Sequence, residues 1–171
     1  MDCFAGLTGR PKGNAAEIPA RREEDGSMES WRKVWRDGLA PILSTHGLRA
    51  LRRALVNDDA RLTQGSTTSP PPLQCVLDWP VEGACVMGFC AWQGDGLETV
   101  GEVEEYFARI CFEADQRLGE PAAVRYFLNW FDDTPRVEMR RELVDEVNRT
   151  LAERFLPGAE PAARRDETAA A

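Results

Sequence analysis

Large apolar residues recur along most of this chain at spacings of three and four, so the segments that carry them must wind at about 3.6 residues per turn to gather them on one face. Trp31, Trp35, Leu39 and Ile42 are spaced this way, and so are Leu48, Leu51, Leu55 and Leu62. Further stripes run through Val103, Phe107, Ile110, Ala114 and Leu118, through Val124, Phe127, Leu128 and Phe131, and through Leu143, Val144, Val147, Leu151 and Phe155. Each predicts a helix with one buried side.

Start and stop signals separate the stripes. Pro41 kinks or ends the first, and Ser44 or Thr45 caps the second. Asn57, Asp58 and Asp59 mark a break before Leu62. "TVGE" at Thr99–Glu102 is a capping box, Gly119 closes the helix behind it, Pro121 opens another, and Thr134 with Pro135 starts the last. "QGSTTSPPPLQ" over residues 64–74 is a loop.

One segment is ambiguous. In "DWPVEGACVMGFCAWQGDG" Pro80 fits a first helical turn capped by Asp78, with Val81, Cys85, Phe89 and Trp92 at helical spacing behind it. Gly83, Ala84, Gly88 and Ala91 give that helix a small-residue flank for close packing. A buried strand over Ala84–Trp92 is the alternative, and the central helix is preferred. The expectation is an all-α fold: a single compact domain of about six helices over residues 28–156, between disordered tails at 1–27 and 157–171. Met28 is an alternative start.

Composition narrows the function. With 171 residues, 43% apolar and 29% charged, the chain matches an ordinary soluble domain. A net charge of -8 argues against general nucleic-acid or anionic-membrane binding. The charge is uneven: residues 63–98 hold four acids and no base, whereas 28–62 carry an excess of base. Internal pairing is its simplest use. The longest apolar run, Ala84–Trp92, is nine residues, too short to span a bilayer. Five cysteines without an export signal predict reduced thiols and a cytoplasmic location.

The cysteines are the first candidates for chemistry. Cys75, Cys85, Cys90 and Cys111 lack the C-x-x-C spacing that lets thiolates converge on one ion. On a helix Cys85 and Cys90 diverge by about 140°, and on a strand they face opposite ways. They read as core thiols, and a cofactor- or metal-binding domain using residues 75–111 stands as the alternative. His46, the single histidine, has no nucleophile motif beside it and reads as a solvated or capping residue. No phosphate-binding glycine motif occurs. Glu105, Arg109, Glu113 and Arg117, like Arg141, Asp145, Arg149 and Glu153, form alternating ladders at four-residue spacing, which are solvated faces.

No catalytic, cofactor-binding or metal-binding residue is assigned on these grounds. Glu138, Glu142 and Glu146 are like charges at four-residue spacing and call for a basic surface to compensate them. Arg49, Arg52 and Arg53 make such a surface, either within the chain or toward a partner. The predicted function is a protein–protein interaction or regulatory module, or a homo-oligomer, with those arginines and the Thr67–Gln74 loop as its binding surface. Trp31, Trp35 and Trp130 are further residues that could face a partner. A helix-turn-helix DNA-binding regulator built on the basic helix is the second alternative.

Overall fold

The computed structural model describes residues 31–155; the predicted tails and the alternative start at Met28 lie outside them. Among the described residues the chain forms six helices and a two-stranded ribbon, so the fold is all-α. Residues 31–33 are already helical and run directly into α1 (Val34–Leu39), which is wound as a π-helix. α2 (Thr45–Asn57) comes next, then β1 (Thr68–Ser69), a single 3-10 turn at Gln74–Val76, and β2 (Gly83–Ala84). α3 (Val86–Phe89) runs directly into a π-turn at Cys90–Gly94, and α4 (Val100–Leu118), α5 (Val124–Asp133) and α6 (Arg136–Phe155) complete the fold. The strands pair antiparallel, Thr68 opposite Ala84 and Ser69 opposite Gly83.

The caps obey the sequence signals. The Ser44 hydroxyl accepts from the Gly47 amide at the start of α2, and Asp58 ends that helix in the left-handed conformation. Thr99 and Glu102 form the reciprocal capping box on α4, which Gly119 closes, again left-handed.

α6 lies against both α1 and α2. Arg32 reaches Glu142, Arg36 reaches Glu146 and Arg154 reaches the Ala40 carbonyl, so α6 runs parallel to α1. Arg154 also reaches Thr45, Arg52 reaches Asn148 and Arg140 reaches the Leu55 carbonyl, so α6 runs antiparallel to α2. An aromatic cluster fills the space between α1 and α5. Trp31, Trp35, Phe127 and Phe131 are fully buried, and Trp31 stacks on Trp130 with ring centroids 3.5 Å apart. The buried indole N–H groups of Trp31 and Trp35 have no hydrogen-bond partner among the described residues, a cost of about 1–3 kcal/mol each.

Four expectations are corrected. The central helix does not begin at Pro80, which bridges Thr99 instead; Gly83–Ala84 is strand, and helix begins only at Val86. Pro121 likewise precedes α5 by a turn, because Ala122 takes a positive φ and breaks the helical path. Trp31 and Trp35 do not face a partner: they are core, with Trp130 half-buried on top of them. Of the three glutamates on α6, Glu142 and Glu146 are compensated by Arg32 and Arg36, not by Arg49, Arg52 and Arg53, while Glu138 is exposed with no ion pair among the described residues. Glu146 is only 6% exposed and takes two bonds from the Arg36 guanidinium. These partners sit 110 residues apart in sequence, beyond the reach of any local pattern.

Candidate protein-binding surface

α2 buries Gly47, Leu48, Ala50, Leu51, Ala54 and Leu55, and the helical period leaves Arg49, Arg52, Arg53 and Val56 on its outer side, with His46 exposed in the first turn. Both ends of the helix are fixed. Ser44 donates to Asp95 while capping the N-terminus. At the C-terminus Arg140 donates to Leu55 O at 2.8 Å, and Arg136 donates to Asp59 O and Leu62 O, each at 2.8 Å. The outer face is therefore presented on a rigid support.

Its charge is unspent. Elsewhere the fold matches several arginines to carboxylates, Arg36 to Glu146, Arg61 to Asp59, Arg136 and Arg140 to Asp58, and Arg149 to Glu153, while Arg109, Arg117, Arg125 and Arg141 meet none among the described residues. On α2, Arg49 lies over the Phe155 ring at 5.0 Å and Arg52 donates to the neutral Asn148 side chain. None of Arg49, Arg52 and Arg53 meets a carboxylate among the described residues. Phe155, expected in the core, is 60% exposed and borders this face with Val56.

The loop grouped with these arginines on sequence grounds is anchored elsewhere. Thr68 is fully buried and donates to Glu104 of α4 at 2.9 Å, while Thr67 O accepts from the Cys85 amide. No hydrogen bond or ion pair among the described residues joins this loop to α2. Sequence reasoning missed the apolar residues at the end of this loop and just beyond it. Leu73 is 61% and Trp79 55% exposed, with Leu77 and Cys75 exposed between them. The segment is held in place all the same: Val76 is buried, Leu77 O accepts from Gly101 N at 2.8 Å and Trp79 O from Val100 N at 3.0 Å, so the loop caps α4. A signal was present, since Leu73, Leu77 and Trp79 are large apolar residues confined between Pro72 and Pro80, outside every helical stripe.

The thiols are dispersed. Cys85 and Cys90 are buried, Cys111 half-buried and Cys75 exposed. Burial pushes the Cys85 and Cys111 thiols up to about 12, and Cys90 higher still. Among the described residues no three His, Cys, Asp or Glu side chains converge as a metal site would need. A cavity of about 360 Å³ lies between α1 and α6, lined by Arg36, Asp37, Arg149, Thr150, Glu153 and Arg154. Its cations are already engaged: Arg36 and Arg149 by carboxylates, Arg154 by Ala40 O, Leu43 O and Thr45.

Fold and surface together define an all-α protein with an uncompensated basic helix face. No protein-family model, curated protein or solved structure matches the chain. No described helix is long and apolar enough to cross a membrane.

Proposed function

We propose that this chain is a protein–protein interaction module whose α2 face, through Arg49, Arg52 and Arg53, docks on an acidic protein surface. One observation carries the reading: three exposed arginines on a rigid helix lack carboxylate partners among the described residues, in a fold that supplies such partners to Arg32, Arg36, Arg136 and Arg140. Arginine suits this role because its planar fork binds carboxylates in two-bond pairs and stacks on aromatic rings. The overall charge of -8 favours a protein over a nucleic-acid partner. The test is affinity capture from the host with the wild-type chain and with the Arg49→Glu/Arg53→Glu variant. Loss of the captured partners at an unchanged unfolding curve supports the reading. An unchanged partner list sinks the surface assignment, and salt-sensitive retention of wild type on duplex DNA replaces it with the DNA-binding alternative.

A further inference from the structure

The fold leaves several charged side chains unpaired, and groups of opposite sign stand among them at two places that matter here. On α2 the uncompensated groups are Arg49, Arg52 and Arg53. Around the exposed loop they are Asp78 and Glu82, which meet no base among the described residues and flank Trp79 in a stretch, residues 63–98, that contains no basic residue at all. Each place also exposes apolar side chains: Val56 and Phe155 beside the arginines, and Leu73, Leu77 and Trp79 near the acids. The two are held by different elements, α2 by α6 and the loop by the N-terminus of α4.

We infer that the acidic surface docking on α2 is the Leu73–Trp79 loop of a second copy of this chain. The inference rests on the α2 reading and names its partner. Trp79 supplies a large ring for guanidinium stacking by Arg49 or Arg53, Asp78 and Glu82 supply carboxylates, and Leu73 and Leu77 cover Val56 and Phe155. Both surfaces are backbone-anchored, so docking orders little and costs little conformational entropy. The contact is head-to-tail, because the surface each copy offers differs from the one it receives. Such contacts build rings or open filaments rather than two-fold dimers.

The experiment is light scattering on the full chain across a concentration series reaching the order of 1 mM. Wild type is expected to exceed the single-chain mass as concentration rises and to fall back toward it as salt screens the arginines. Trp79→Ser and Arg49→Glu/Arg53→Glu should each weaken association on the order of thirty-fold, as truncation of an interface anchor does. An equimolar mixture of the two variants should form a two-chain complex, since one keeps the intact loop and the other the intact α2 face. The replaced positions are all exposed, and matched unfolding curves confirm that the variants fold. A wild-type chain that stays monomeric, or variants that associate as wild type does or fail to complement when mixed, overturns the inference. A monomeric wild type leaves the α2 reading to its own test, the loss of captured partners on charge reversal.

Discussion

Gly94 and Gly47 touch backbone to backbone: a Cβ added to Gly94 would lie 2.5 Å from the Gly47 amide nitrogen and 2.9 Å from the carbonyl carbon of His46. This is where α2 meets the π-turn, and the obstacle is main chain, which cannot swing aside as a side chain would. Gly94→Ala should therefore destabilise the protein by about 1–3 kcal/mol or more through overpacking. Urea unfolding of the variant against wild type measures it.

Arg36 holds Glu146 through two charge-assisted bonds on the buried side of α6, whereas Arg149 and Glu153 pair in solvent. Removing hydrogen bonds to a charged group costs about 1.5–3 kcal/mol, an exposed pair under about 1. Glu146→Gln is expected to fall in the first range and Glu153→Gln in the second. Alanine at Arg49 and Arg53 should stay within about 0.5 kcal/mol of wild type, as surface changes usually do. Urea unfolding of each variant checks the ranking.

Two glutamates on α4 should respond to pH with opposite signs. The amides of Thr99 and Glu98 hold the Glu102 carboxyl below its usual range, so its contribution is present above the unfolded pKa and is lost as pH falls through the folded one. Burial raises Glu104, only partly offset by its bond from Thr68, so its contribution is full below the unfolded pKa and is lost as pH rises through the folded one. Glu104→Gln should raise stability at pH 7 relative to wild type and lose that advantage in acid. Glu102→Gln should do the reverse, narrowing its deficit in acid. Thermal unfolding of the three proteins between about pH 3 and pH 7, the window around the ordinary carboxylate range, reads both signs.

The fold was most legible in the sequence where the governing interactions are local. Ser44, Thr99, Glu102 and Gly119 act within a turn of their own positions, and the stripes of α2, α4 and α5 needed only the helical period. The illegible parts are non-local or depend on where a neighbour ends. Arg36 and Glu146 meet only because α6 returns alongside α1. Pro80 has the chemistry of a helix start, but its backbone bridges Thr99. Phe155 keeps the period of its stripe yet falls beyond the core, with Arg49 lying over its ring. The proposed surface was half legible: the α2 arginines stood out, but with the compensating role that belongs to Arg32 and Arg36, and Trp79 passed unnoticed.

The thiols give a direct reading of the central segment. Only the thiolate reacts with alkylating reagents, and Cys85 and Cys90 are both buried and held protonated. Brief iodoacetamide treatment and then peptide mapping should show Cys75 labelled in the native protein, with Cys85 and Cys90 unlabelled until denaturant is added. Rapid native labelling of either would mean that the segment opens, and would revive the cofactor-binding alternative.

That the α2 arginines hold a protein partner is tested most directly by capture with the full wild-type chain and with Arg49→Glu/Arg53→Glu, untagged copies of the chain counted among the possible partners. The predicted result is matched unfolding curves and loss of the bound protein from the variant. Equal recovery of the same proteins by both chains would contradict it.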